Sequence, residues 1–201
     1  KVNSGEYKLM GLAPYGSPIF KDKILNNLIS VKDDGSFRLD QTYFNYATGL
    51  TMTSDKFHNL FGKKPRNPEN DRITQFHMDI AASIQSVTED IMIKLTHSLK
   101  KEYGMKNLCL AGGVALNCVA NGKILKENIF DKIWVQPASG DAGCSIGAAL
   151  AYWHIEAEKE RTINPDDDMQ GSYLGPEYSN EEIEKELKQL GAVFSNLDEA
   201  E

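Results

Sequence analysis

Residues 107–152, NLCLAGGVALNCVANGKILKENIFDKIWVQPASGDAGCSIGAALAY, constrain the fold more than any other part of the chain. Leu108 to Leu110 is an apolar run too short for a helix, and it ends at Ala111-Gly112-Gly113. Val114, Leu116, Val119, Ile124 and Leu125 follow at spacings that suit one face of a helix. Ile133-Trp134-Val135 predicts a second strand, which stops at Pro137 before the turn Ala138-Ser139-Gly140-Asp141. A second helix is expected from about Ala142. Its Gly143, Gly147, Ala148, Ala149 and Ala151 would let it lie tight against a sheet or another helix. The pattern is strand-turn-helix twice over, which predicts an α/β fold with both turns at one sheet edge, where ligands sit in open sheets.

Each turn has an ordinary structural explanation. Paired glycines after a strand often make only a tight turn, and an aspartate before a helix is more often an N-cap than a metal ligand. Together they are more specific. Backbone N–H groups at a glycine turn suit a phosphate, and a carboxylate beside a phosphate is useful when a cation lies between them. Gly112, Gly113, Val114, Gly140 and Asp141 are therefore candidates for a nucleotide and metal site.

GGVALNCVANGKI followed by VQPASGDAGCSIGAALA resembles the O-carbamoyltransferase family of the nodulation and antibiotic-tailoring type. Glu6-Tyr7-Lys8-Leu9-Met10-Gly11-Leu12-Ala13-Pro14-Tyr15-Gly16 is similar to the family's EGKxMGLAPYG, with Tyr7 standing where glycine is expected. Tyr173-Leu174-Gly175-Pro176-Glu177-Tyr178-Ser179 also resembles the family, and the motifs occur in family order. The resemblance implies one lobe of an actin- and hexokinase-like (RNase H-like) ATPase, a mixed sheet with packed helices. It also implies a piece of a longer enzyme. Residues 1–172 would form the carboxyl-terminal lobe of the ATPase-like domain and 173–201 the start of a linker toward a further domain.

The implied chemistry uses carbamoyl phosphate and ATP to make carbamoyl-adenylate, then moves the carbamoyl group to a hydroxyl of a sugar or natural product. By resemblance Glu6 lies near sugar hydroxyls of the nucleotide and Lys8 near its charged groups. Gly112, Gly113 and the Val114 N–H would hold phosphate oxygens, and Asn117 would hydrogen-bond the nucleotide. Gly140 would allow close approach. Asp141 would ligate a divalent ion, iron(II) or similar, with two histidines of an upstream part of the enzyme. No HxxxH occurs in this chain, and no general base is identified. A threonylcarbamoyl-transfer enzyme acting on tRNA would share the Gly-Gly turn and the metal aspartate. An actin- or chaperone-type module would bind nucleotide without group transfer, and an isolated lobe could be only a structural fragment without activity.

Charge bears on these alternatives. The net charge is −7, yet residues 156–201 hold 14 acidic and 4 basic side chains while residues 1–155 hold 18 basic and 15 acidic. No basic stripe with interleaved aromatics occurs, which disfavours nucleic acid. No apolar run approaches a membrane span and no signal-peptide pattern is present, so a cytoplasmic setting is expected. Cys109, Cys118 and Cys144, without CxxC spacing, are expected as small buried residues in a reducing compartment.

Elsewhere the spacing predicts a helix over 21–28 and a hairpin of 29–31 and 36–39 about Asp34-Gly35. Tyr43, Phe44 and Tyr46 are expected mainly in the core, and a short helix is expected over 56–61. Lys63, Lys64 and Arg66 read as a solvated loop, and His58 needs no functional role. A long helix is expected from about Asp71 to Tyr103, with Phe76, Ile80, Ile84, Val87, Ile91, Leu95 and Leu99 on its apolar face and Gly104 as its stop. Glu6 and Lys8 are expected on one side of an extended segment. Residues 155–161 should extend the last central helix until Asn164-Pro165 breaks it, and Asp166, Asp167 and Asp168 read as a solvated loop. Ser179 and Glu182 predict a capping box, Gly191 a helix stop, and 192–194 a strand.

Overall fold

The computed structural model describes residues 5–163, 169–173 and 175–197. The chain divides into two compact units, 1–151 and 152–201.

The first unit is built on α4 (Gln75–Tyr103), a helix of 29 residues. It starts four residues later than the apolar pattern suggests because Thr74 begins it, donating its N–H to His77 Nδ1 at 3.0 Å. Gly104 ends it with φ 64°, as expected. On one side α4 meets α2 (Lys21–Asn27), the antiparallel hairpin β1 (Ile29–Val31) and β2 (Phe37–Leu39), and α3 (Asp55–Phe61). Ile24, Leu28, Ile29, Tyr43, Phe61, Val87 and Ile91 form this core. Phe20 stands edge-on to both Phe61 and Phe76, with ring centroids 5.7 and 5.5 Å apart. Tyr43 is buried and Phe44 packs on the core, while Tyr46 stays exposed.

On its other side α4 packs on a βαβ unit: β3 (Asn107–Leu110), α5 (Cys118–Lys126) and β4 (Lys132–Val135). The strands are parallel, with Leu108 opposite Ile133 and Leu110 opposite Val135. Met92, Leu108, Ala120, Ile124 and Phe130 make the second core. Among the described residues the strands form two separate two-stranded sheets, not one mixed sheet.

The amino end corrects one expectation. Residues 6–12 form α1 (Glu6–Leu12), followed by a 3-10 turn over Ala13–Tyr15. Residues two apart on a helix point to different sides, so Glu6 and Lys8 do not share a face. Residues 13–20 run along the amino half of α4. Asp79 accepts the Ser17 N–H at 2.9 Å, and fully buried Ser83 accepts the Phe20 N–H at 3.0 Å while donating to the Asp79 carbonyl at 2.6 Å.

Three more expectations change. Leu95 and Leu99 are partly exposed, and α4 instead buries Asp79, Ser83, Gln85, Glu89 and Thr96. The cysteines are exposed: Cys109 lies opposite Trp134 on the outer face of β3 and β4, where the two-residue alternation carries it. Nothing in α6 (Gly143–Ala151) is buried despite its small residues.

In the second unit, residues 152–156 form a single π-turn in which the Ala157 N–H donates to the Tyr152 carbonyl at 2.8 Å, and no helix continues through 161. His154 Nδ1 lies 2.9 Å from the Lys159 carbonyl oxygen, which fits the chain folding back there. α7 (Asn180–Gln189) carries the expected capping box: the Ser179 N–H donates to Glu182 at 2.8 Å and the Glu182 N–H to Ser179 Oγ at 3.2 Å. Gly191 follows with φ 64°, but 192–194 form no strand. Asn164, Pro165, Asp166, Asp167, Asp168 and Leu174 lie outside the described residues.

Candidate functional site

The two glycine turns meet at the carboxyl ends of β3 and β4. The ladder runs one bond past the strands, from the Gln136 N–H to the Leu110 carbonyl at 3.1 Å. The turns are then tied directly, the Gly112 N–H donating to the Ser139 carbonyl at 2.7 Å. Gly112 sits at φ 95° and ψ 163°, a conformation closed to residues with a side chain. Its N–H is committed to Ser139, so Gly112 supplies the shape of the turn and not a donor for a phosphate.

Residues 113–116 form one 3-10 turn. Gly113 and Val114 occupy its first positions, where the turn itself offers their N–H groups no acceptor. Both residues are exposed, while Ala115 below them is buried. Two asparagines secure the turn from beneath. Asn121 Nδ2 donates to the Ala115 carbonyl at 2.7 Å, and Asn117 caps α5 by accepting the Ala120 N–H at 3.1 Å.

The second turn, 137–142, packs on the first, and a Cβ on Gly140 would lie 3.8 Å from Leu116 Cδ1. Gly143 opens α6 so close to the Ala138 carbonyl that a Cβ there would collide with it. The exposed Asp141 carries the next carbonyl, which accepts the Cys144 N–H at 3.1 Å.

The structure thus brings Gly112, Gly113, Val114, Asn117, Gly140 and Asp141 into one neighbourhood. Glu6 and Lys8 form only local contacts on α1: Glu6 accepts the Gly5 N–H at 3.0 Å, and the Lys8 ammonium lies 5.6 Å from the Tyr7 ring centroid. No hydrogen bond among the described residues ties either to the turns. Asp141 stands alone as a prospective metal ligand, because the described residues contain no group of three or more His, Cys, Asp or Glu placed to hold a metal ion. The residues present therefore do not by themselves make a metal site.

Four participants escaped the sequence reading. Ser139 is buried and its Oγ has no partner among the described residues, at the point where the turns touch. Gln85 reaches Asn117 at the turn from α4, backed by Glu89 of α4 and Lys123 of α5. Gln85 Nε2 donates to Glu89 Oε1 at 2.8 Å and to Asn117 Oδ1 at 3.1 Å, and Asn117 Nδ2 donates back to Gln85 Oε1 at 2.9 Å. Lys123 pairs with Glu89. The available signal was the i, i+4 pair of polar residues on α4, repeated six residues after the pair Asp79 and Ser83.

The sequence pattern described as Carbamoyltransferase N-terminus matches residues 1–150. An uncharacterized protein of Synechocystis sp. is 61% identical over 188 residues, 94% of this chain and 30% of the relative. Nodulation protein NolO of Bradyrhizobium diazoefficiens is 37% identical over 193 residues, 96% of this chain and 32% of the relative. Nodulation protein NolNO of Sinorhizobium fredii is 36% identical over 183 residues, 90% of this chain and 25% of the relative. The chain spans a quarter to a third of the length of these relatives. No helix among the described residues is long and apolar enough to cross a membrane.

Proposed function

The chain belongs to the carbamoyltransferase family, and on that footing we propose that it is the nucleotide-holding lobe of an ATP-dependent O-carbamoyltransferase. The observation that carries this reading is the pair of glycine turns joined by the Gly112–Ser139 hydrogen bond. They present the Gly113 and Val114 N–H groups at the carboxyl ends of two parallel strands. That edge is where α/β folds take ligands, and preorganised N–H groups suit phosphate oxygens.

In the proposed reaction, water releases carbamate and phosphate from carbamoyl phosphate, and the carbamate displaces pyrophosphate from ATP to give carbamoyl-adenylate. An acceptor hydroxyl of a sugar or natural product then attacks the carbamoyl carbon as AMP leaves and the hydroxyl proton is released. Gly113 and Val114 would bind phosphate oxygens, Gly140 would permit close approach, and the Ser139 hydroxyl is a further donor at the junction. The lobe would belong to an actin- and hexokinase-like ATPase domain. Asp141 would be one ligand of a metal site completed by residues outside those described, and no step of the proposal is routed through that metal.

The test supplies the full-length protein with ATP and labelled carbamoyl phosphate. Carbamoyl-adenylate is expected, with label passing to a member of a panel of sugars and other hydroxyl compounds. ATP hydrolysis with no use of carbamoyl phosphate would replace this reading with a nucleotide-driven binding module. No use of carbamoyl phosphate, with transfer from supplied threonylcarbamoyl-adenylate to tRNA, would make it a tRNA-modifying enzyme.

A further inference from the structure

Three of the four hydrogen-bonding positions of the Asn117 carboxamide are committed inside the protein. Oδ1 accepts from the Ala120 N–H and from Gln85, and Nδ2 donates to Gln85. The direction of this array is set at both ends. An ionised carboxylate only accepts, so Glu89 draws the amide nitrogen of Gln85 toward itself. That leaves Gln85 Oε1 facing Asn117, which must answer with its own nitrogen and so turns its oxygen to the Ala120 N–H. A backbone N–H only donates, so the far end demands the same orientation. Reversing any one amide would set donor against donor.

The array also has a mechanical consequence. Gln85 and Glu89 are 7% and 5% exposed on rigid α4. Through them α4 grips α5 twice, at its cap by Asn117 and farther along by Lys123. Asn117 closes the 113–116 turn, its N–H donating to the Val114 carbonyl at 2.9 Å. The position of the Gly113 and Val114 N–H groups is thereby referred to α4.

We propose that Gln85 and Glu89 are positioning residues that act through Asn117, holding the 113–116 turn where its N–H groups meet the phosphates of a nucleoside triphosphate. This rests on the nucleotide reading above. It assigns Asn117 an orienting role in place of direct recognition of the nucleotide.

The experiment titrates the full-length protein calorimetrically with ATP and with adenosine, which lacks phosphates. Gln85→Leu should weaken ATP binding on the order of tenfold, the scale of one hydrogen bond to a charged group lost, and leave adenosine binding unchanged. The exchange variant Q85E/E89Q restores two of the array's contacts, because the new carboxylate accepts from both Asn117 Nδ2 and the new amide at 89, while the bond from residue 85 to Asn117 Oδ1 stays lost. It should recover part of the ATP affinity that Gln85→Leu loses, and it keeps the test open if Gln85→Leu does not fold. Ser83→Ala, at the other polar pair on α4, should leave the ratio of ATP to adenosine affinity as in the wild type.

Equal ATP affinity in wild type and Gln85→Leu would overturn the proposal. So would ATP and adenosine affinities falling together, since that marks a merely structural loss, or an exchange variant no better than Gln85→Leu. A wild-type protein that binds neither ligand would instead bring down the nucleotide reading, and this inference with it.

Discussion

The two sides of α4 are held by different means. Toward α2 and α3 the helix presents Val87 and Ile91 to a core rich in rings, where Phe20, Phe57, Phe61 and Phe76 meet edge-on or tilted and Tyr43 is buried. Toward the βαβ unit the core is smaller and mainly aliphatic, around Met92, Leu108 and Ile124. There the polar array of Gln85, Glu89, Asn117 and Lys123 supplements it. Alongside the bonds of the Ser17 and Phe20 N–H groups to Asp79 and Ser83, the aromatic side is positioned chiefly by packing, which tolerates small shifts. The βαβ side is positioned by directional bonds, which do not. The glycine turns stand on the side where direction is fixed.

The largest test of that difference pairs Phe61→Ala with Ile124→Ala. Phe61 is 9% exposed and Ile124 is not exposed at all. Each truncation should cost about 2–5 kcal/mol, from lost transfer energy and the cavity left behind. Hydrogen exchange read segment by segment should separate them. Phe61→Ala should lower protection in 21–31 and 55–61, and Ile124→Ala in 107–126 and 132–135. Equal loss in both halves from either variant would mean that α4 welds them into one cooperative unit, and the contrast would fall.

A smaller effect compares two glycines of α6. Gly143→Ala drives a methyl into the Ala138 backbone, which has to shift at a cost of about 1–3 kcal/mol. The Gly112 amide, bonded to Ser139 next in the chain, should lose exchange protection. Gly147 has open space where a Cβ would stand, so Gly147→Ala should be neutral or stabilising by up to about 1 kcal/mol. If the two variants protect Gly112 equally, the second turn does not steady the first.

The elements that were legible in the sequence were those whose signal is local. Asp34-Gly35 between short apolar runs marked the hairpin, Ser179 with Glu182 marked a cap, and two glycine-terminated strands marked the βαβ unit and both turns. The reading failed where side chains serve distant partners. Gln85 and Asn117 are 32 residues apart, and nothing in helical periodicity says that a glutamine on a core helix will face an asparagine at a cap. Leu95 and Leu99 matched the apolar spacing, yet both are partly exposed while Thr96 between them is buried. The two-residue spacing of Glu6 and Lys8 suits an extended segment, whereas Glu6-Tyr7-Lys8-Leu9-Met10 contains no helix breaker and forms part of α1. The family motifs located the glycine turns but carried no information on what holds them.

The smallest effect concerns the other polar pair on α4. The Ser17 N–H first, and then the Gln75 amide, hold the Asp79 carboxyl below its ordinary range. A carboxylate with a folded pKa below its unfolded value contributes stability that is present above about pH 4. That contribution is lost as pH falls through the lower folded value, because a protonated Asp79 accepts these bonds less well. Residues 13–20 should therefore keep their exchange protection from neutral pH down to about 4 and loosen below it, after correction for the intrinsic exchange rate. Asp79→Asn keeps an oxygen for the Ser17 N–H without a titrating proton, so its protection should not change across the same acid range. If the variant loosens in parallel with the wild type, acid acts on the segment through another group. If neither loosens, packing and Ser83 hold the segment to α4 without help from the Asp79 charge, and the contrast between the two sides of the helix is sharper than their bonding suggests.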